Sequence, residues 1–403
     1  MSYLRFLTAG ESHGRALIGI LEGIPSGLLI SVQDIDRDLK RRQLGYGRGA
    51  RMKIESDHTE ILSGVRWGKT IGSPVTLYVE NKDWKNWIEG MSPDLADKGS
   101  VPTITKPRPG HADLAGAIKY GEHDLRNILE RSSARETAAR VALGAIAKKF
   151  LLEFGIRIGS YVIQIGKIKF QRTNYTLQNL DKVLLSLFEK AEKSPVRCPD
   201  EQISEKMVEL IDKVTQAKSS LGGIFEVFVT GVPIGLGSFI QWDKRLDGKL
   251  AKALMGIQAI KGVEIGLGFE IAKHLGSEVM DEIFYHQKSK PKAQGSEGFY
   301  RRTNYSGGIE GGMTNGMPIT LRAAMKPIPT LKRPLRSVDI TTKRPVEATY
   351  ERSDICAVPA AGVIGEAMVA LSIADAFLEK FGGDSMIETK CNYDSFIEHI
   401  KKW

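Results

Sequence analysis

Cysteine is scarce. Cys198, Cys356 and Cys391 are the three in 403 residues, too few and too scattered for a disulfide framework or a zinc site. That scarcity points to a reducing, cytoplasmic setting. Aromatic residues make up only 7% of the chain, which argues against a nucleic-acid binder that stacks bases on interleaved rings. Arg5, Glu11 and His13 interrupt the N-terminus where a signal peptide needs an apolar core, and no apolar run approaches transmembrane length, so no membrane partner is expected. No His/Cys/Asp cluster has metal spacing and no Gly-x-Ser-x-Gly elbow occurs. Gly64 to Thr70 resembles a phosphate-binding P-loop but has one residue too few between its glycines and falls in a hairpin. Gly266-Leu267-Gly268 has Ile271 where a dinucleotide fingerprint needs its third glycine, which weakens a nicotinamide-dependent dehydrogenase. With no Pro/Gly/Ser-rich linker and no internal repeat, residues 1–403 read as a single domain.

What is present is an ordinary globular composition, 42% hydrophobic and 26% charged, with a net charge of +9. That charge admits nucleic acid as a partner, and a highly anionic small substrate equally well.

The patterning predicts short strands over Leu4–Thr8, Ala16–Ile24, Gly222–Val229 and Ile319–Met325, and a hairpin formed by Glu60–Trp67 and Pro74–Val79. Helices are expected over Ser31–Gln43, Leu177–Lys193, Glu201–Lys218, Leu246–Ile260 and Ala357–Phe381, with a short one over Ile271–Leu275. Gln287–Ser306 is polar and basic and reads as a surface loop. Strands joined by tight turns outnumber strand–helix–strand units, which favours an α+β protein with antiparallel sheets over a doubly wound parallel one.

The stretch Glu130-Arg131-Ser132-Ser133-Ala134-Arg135-Glu136-Thr137 organises the rest. Ser133 and Glu136 have the spacing of a capping box, and the Ala/Leu-rich run Ala134–Phe154 behind them predicts one long helix. A helix N-terminus favours an anion, yet Arg131 and Arg135 flank this one, so an anionic ligand that offsets them is expected. A surface helix with incidental arginines is the plain alternative. Similar polar residues crowd other glycine-rich turns: Ser12 and His13 before Gly14, Arg42, Arg48 and Arg51 around Gly45–Gly49, Arg108 and His111 within the loop Lys106–Asp113, and Arg352 and Asp354 ahead of the last long helix. Glycine lets the backbone approach a ligand closely and arginine forks onto phosphate or carboxylate oxygens. Together with Gly307–Met313, these turns describe a site for a small ligand with several negative charges.

Three of these segments, Gly10-Glu11-Ser12-His13-Gly14, Arg131–Thr137 and Arg352-Ser353-Asp354-Ile355-Cys356, resemble the signature segments of the chorismate synthase family. The loops Arg41–Arg51, Arg108–Asp113 and Lys326–Thr330 resemble family segments in the same order, and the similarity runs from Leu4 to about Phe381. The resemblance implies a sandwich of helices between antiparallel β-sheets, assembled as a homotetramer. It implies a lyase that converts 5-enolpyruvylshikimate 3-phosphate to chorismate by 1,4-anti elimination of phosphate, using reduced FMN with no net redox change. By matching positions, Arg42, Arg48, Arg51 and Arg135, with Ser12, would bind the substrate. Arg131, Ser132, Ser133, Gln258, Ala259, Gly311, Lys326, Pro327, Ile328, Pro329, Thr330 and Arg352 would contact the flavin. His13, His111 and Asp354 would be catalytic: His13 protonating the phosphate, His111 standing by the flavin N1, and Asp354 managing the proton at N5. A bifunctional form that reduces its own FMN with NADPH is an open alternative, since Arg42 and Arg48 would suit a 2′-phosphate as readily. An aerobic assay with NADPH and oxidised FMN decides it.

Overall fold

The computed structural model describes residues 3–49, 56–171, 179–286, 298–351 and 353–403. Arg51 and Arg352, and residues 287–297 of the polar stretch, lie outside the described residues.

Local sequence sets most element ends. Helix α1 (Val32–Gln43) starts on a true capping box: Asp34 N donates to Ser31 Oγ at 3.2 Å, and Ser31 N donates to the Asp34 carboxylate at 3.0 Å. Lys40, Arg41 and Arg42 occupy its last turn, where the helix dipole favours cations. The box expected at Ser133 and Glu136 does not form. Helix α2 (Asp113–Tyr120) and helix α3 (Arg126–Ser132) come first, Ala134–Glu136 is a separate 3₁₀ turn, and helix α4 (Thr137–Leu152) begins only after it. In that tighter turn Ser133 Oγ accepts from Arg135 N at 3.2 Å, while the Glu136 carboxylate is drawn away to Arg140 at 2.9 Å. Arg131 therefore sits in the last turn of α3, where a cation suits the dipole, and not at a helix N-terminus.

Helices α5 (Leu180–Lys193) and α6 (Glu201–Gln216) follow the expected amphipathic pattern. Helix α7 (Leu246–Met255) stops at Gly256, earlier than expected, so that Gln258 and Ala259 form a turn before the strand Ile260–Ile265. Ala259 has φ 67°, an uncommon value for a residue with a Cβ. Helix α8 (Gly276–Val279) is a single turn. Ile283–His286 pairs with Gly298–Arg301, so part of the stretch read as loop is a two-stranded ribbon. The hairpin expected over Glu60–Val79 is two nested ladders, Thr59–Ser63 with Val75–Glu80 and Val65–Arg66 with Lys69–Thr70.

Two antiparallel sheets enclose a layer of helices. Among the described residues, one sheet orders Arg5–Ala9, Ala16–Glu22, Val75–Glu80 and Thr59–Ser63. The other orders Ile260–Ile265, Ile319–Met325, Gly223–Thr230, Arg157–Ile165 and Ile168–Lys169. Helix α4 packs on the first sheet, helix α9 (Val358–Phe381) on the second, α4 and α9 pack on each other, and α1 leans on both. Helix α10 (Met386–Ile400) lies against the far end of α9. This is an α+β fold, with helices sandwiched between antiparallel sheets.

Because α9 has neighbours on both sides, it is apolar all round. Its length and a mean hydropathy of 1.7 over its most apolar window are enough to cross a membrane, and 89% of that window is buried in the protein. The expectation that no run approaches transmembrane length fails on this one helix. Glu366 in α9 is fully buried and is held by Arg41 at 2.7 Å, Lys148 at 2.8 Å and Arg197 at 3.2 Å. Arg41 thus pins α1 to α9, while its neighbour Arg42, on another face of the helix, turns to the site described below.

The close approach of α4 and α9 depends on Gly144. A Cβ there would lie 2.3 Å from Ala367 Cβ and 2.6 Å from its Cα, with backbone that cannot step aside. Gly144→Ala should cost about 1–3 kcal/mol, the usual scale of overpacking. A thermal or guanidinium melt checks it, and an unchanged curve would show that the two helices separate freely.

Candidate active site

Segments from the whole length of the chain line one cavity of about 760 Å³. It gathers Ser12, His13, Arg42, Arg48, His111, Ser132, Ser133, Arg135, Gln258, Ala259, Lys326, Ile328, Pro329, Thr330 and Asp354. Volume and mixed lining are those of a small-molecule site.

Ser12 and His13 sit on the turn between the first two strands, against α3. His13 N donates to Glu130 Oε2 at 2.7 Å, and His13 Nδ1 lies 2.8 Å from Glu130 Oε1. The ring packs on Trp87 with centroids 4.5 Å apart. Ser12 Oγ donates to Ser133 Oγ at 3.1 Å, which ties this turn to the α3–α4 junction.

The floor is basic and buried. Arg42 is 5% exposed and Arg135 7%. Both reach Asp57: Arg135 Nη1 to Oδ1 at 2.6 Å, and Arg42 Nη1 to Oδ2 at 3.5 Å. Arg42 also donates through Nε to Thr137 Oγ1 and through Nη2 to Ala134 O, each at 3.0 Å. Burial pushes the Arg42 guanidinium down to about 10; Asp57 opposes the shift, and the cations Arg135 and Arg48 add to it. A guanidinium crowded by two others is stabilised by any anion that enters.

His111 is held by a different device. Its Nδ1 lies 2.5 Å from Asp113 Oδ1. Arg108 forks onto the same carboxylate, Nε to Oδ2 at 2.8 Å and Nη2 to Oδ1 at 3.0 Å, and donates through Nη1 to Thr330 Oγ1 at 3.0 Å. Burial raises the Asp113 carboxyl, but His111 and Arg108 outweigh it and hold it well below the usual carboxylate range. Lys326 Nζ donates to Gly110 O, joining the His111 loop to the segment Lys326–Thr330.

Asp354 accepts from Gly49 N at 2.6 Å and pairs with Arg48 Nε at 3.3 Å. Helix α9 is capped at Ala357 without a side-chain hydrogen bond, so Asp354 is not its cap. Gln258 donates through Nε2 to Glu136 Oε2 at 3.2 Å. Its buried Oε1 has no hydrogen-bond partner among the described residues, in a side chain whose residue lines the cavity. Glu136, read from the sequence as a capping residue, instead orients this amide.

Three residues expected at the flavin do not line the cavity. Arg131 is exposed and donates to Gly10 O at 2.9 Å and Thr8 O at 2.8 Å. Gly311 lies exposed at the tip of the hairpin Ile309–Glu310/Met313–Thr314, and Pro327 is exposed. Trp87 lines the cavity and Asp57 pairs with its buried arginines. No local motif marks either; they reach the site only because the chain folds back on the first sheet.

The arrangement can hold a polyanion on buried arginines, beside two histidines and an apolar wall from Trp87, Leu129, Met325 and Ile328. A family model for chorismate synthase matches residues 4–378. This chain belongs to the chorismate synthase family. It is 57% identical over 405 residues to the chorismate synthase of Aquifex aeolicus, covering 100% of both chains. It is 55% identical over 398 residues to that of Geobacter sulfurreducens, covering 99% of each. A crystal structure of chorismate synthase superposes with a TM-score of 0.79 at 47% identity, covering 100% of this chain and 99% of the other. The family is one of lyases that form chorismate in aromatic amino acid biosynthesis, acting on an anionic substrate and generally needing reduced flavin.

Proposed function

We propose that this chain converts 5-enolpyruvylshikimate 3-phosphate to chorismate by 1,4-anti elimination of phosphate, with reduced FMN and no net redox change. The observation that carries this reading is the pair of buried guanidiniums, Arg42 and Arg135, sharing Asp57 within the cavity that His13 lines. A substrate with two carboxylates and a phosphate supplies the missing negative charge.

The residues present fit a flavin. Gln258 Oε1 is a buried acceptor without a donor, Ile328 and Pro329 offer an apolar surface for a ring, and Ser132, Ser133, Lys326 and Thr330 add polar groups. When bound, reduced FMN would supply transient electron donation to the substrate ring and a group able to take up the departing hydrogen.

The chain's own residues do the rest. Arg42, Arg48 and Arg135 hold the substrate anions and orient the allylic phosphate. His13 gives a proton from Nε2 to the leaving phosphate oxygen. His111, fixed by Asp113 and with Arg108 Nη2 3.3 Å from its Nε2, would stand by charge on the cofactor, and the Asp354 carboxylate would accept the proton released when the ring hydrogen is lost. The assembly expected is a cytoplasmic homotetramer, and sedimentation gives its mass.

An anaerobic assay with chemically reduced FMN and 5-enolpyruvylshikimate 3-phosphate tests the activity. Chorismate and phosphate should appear in equal amounts, and their absence would refute the proposal. Binding is a separate expectation. Oxidised FMN should bind weakly to moderately alone and at least about tenfold more tightly with substrate present, because both occupy one cavity. Flavin fluorescence titrations read it, and equal affinities would sink the shared-cavity idea.

A further inference from the structure

We infer that Glu130 is the positioning residue for His13: it keeps the imidazole proton on Nδ1 and so presents Nε2 to the cavity. Glu130 lies in the last turn of α3 with its side chain 1% exposed. Three contacts join it to the His13 turn. Its carbonyl accepts from Ser12 N at 3.1 Å, its Oε2 accepts from His13 N at 2.7 Å, and its Oε1 lies 2.8 Å from His13 Nδ1. A carboxylate oxygen has only acceptors to offer, so the hydrogen in the last contact belongs to Nδ1. Trp87 against the ring, at 4.5 Å between centroids, limits how far the imidazole can swing away.

The carboxylates behind the two histidines differ. Asp113, behind His111, is gripped by Arg108 through two side-chain hydrogen bonds. Glu130 faces Arg126 at 3.6 Å, and Arg126 Nε and Nη1, both buried, make no hydrogen bond among the described residues. Arg126 lies instead over the Trp87 ring, 4.6 Å from its centroid. The oxygens of Glu130 are thus directed at His13, through its backbone and its ring, with no arginine fork competing for them.

The inference rests on the proposed function only in making Nε2 the acid. When Nε2 gives its proton to the leaving phosphate oxygen, one N–H bond breaks and one O–H bond forms. The imidazole is left neutral, with its Nδ1 proton still held by Glu130. The donor is the imidazolium, which carries a hydrogen on each nitrogen; Glu130 fixes the ring so that Nε2 faces the cavity, and without it the ring is free to turn and the neutral product to take either tautomer.

The test uses full-length protein labelled with ¹⁵N-imidazole histidine, free of ligands. His13 is assigned by difference against His13→Gln, and folding is followed by melting curves. In the parent, neutral His13 should show Nδ1 protonated and Nε2 bare. In Glu130→Gln, which keeps the shape but can donate as well as accept, the tautomers should mix, and in Glu130→Ala the Nε2–H form should dominate. Turnover with reduced FMN should fall about ten- to a hundredfold, the usual scale for removing an orienting partner, with little change in KM. If Glu130→Ala does not fold, Glu130→Gln carries the test alone. An unchanged His13 tautomer in the folded variants overturns the inference whatever turnover does. An altered tautomer with undiminished turnover supports Glu130 as the group that sets the ring's tautomer and shows that turnover does not depend on that setting.

Discussion

His13→Ala should lower turnover by about a hundredfold or more, the usual scale of general acid catalysis, while leaving most of the protein folded. An allylic phosphate leaves slowly unless the charge growing on its bridging oxygen is met, and in the proposed complex the arginines would hold the rest of the phosphate. What those arginines cannot supply is a transferable proton, since guanidinium stays protonated at working pH. His13 can. Its Nδ1 is engaged by Glu130 and its ring lines the cavity. The competing view makes Ser12-His13-Gly14 no more than a tight turn. Most of that turn's contacts are through backbone: Ser12 N to Glu130 O at 3.1 Å, and His13 N to Glu130 Oε2 at 2.7 Å. Alanine keeps both, so stability should fall by no more than the roughly 1–3 kcal/mol of a lost buried hydrogen bond. Single-turnover kinetics on the folded fraction, with reduced FMN in excess, separates the views. Unaltered kinetics would remove His13 from the chemistry.

Asp354→Asn should also slow turnover, by about a hundredfold, while FMN and substrate still bind. The carboxylate accepts from Gly49 N at 2.6 Å and pairs with Arg48 Nε at 3.3 Å. Asparagine can keep the first contact, because its amide oxygen accepts equally well. It gives up the charge that complements Arg48 and the capacity to take up a proton. Asp354→Ala removes the Gly49 contact too and should loosen the Gly45–Gly49 loop, lowering affinity for substrate as well as rate. A purely structural Asp354 predicts the opposite pattern: near-normal rates in Asn and a lower melting temperature in Ala. Normal single-turnover kinetics in Asp354→Asn would exclude it from the mechanism.

Local chemistry was legible in the sequence wherever neighbours along the chain decide the outcome. Helix α1 follows its cap and its charged last turn, and the strand Ile319–Met325 has the bounds its apolar pattern predicts. The segments carrying Ser12, His13, Arg42, Arg48, His111 and Asp354 do converge on one cavity. The family is legible too, because signature segments are continuous in sequence. The partners are not. Ser133 and Glu136 have the spacing of a capping box, but Arg140 and Gln258 compete for the glutamate from one helical turn and 122 residues away, and they win it. Asp354 follows Arg352 by two positions, yet its cation in the described structure is Arg48, some 300 residues earlier. The apolar ring of α9 reads equally as a membrane span or a core helix until two layers are seen to cover it. Sequence by itself determined most element types, the family and the chemical character of the site, since these depend on short-range propensity and contiguous motifs. Only the tertiary structure decided which carboxylate faces which cation and which nitrogen of His13 is engaged by Glu130. Those pairings join groups distant along the chain, brought together by the burial of α4 and α9 between the sheets.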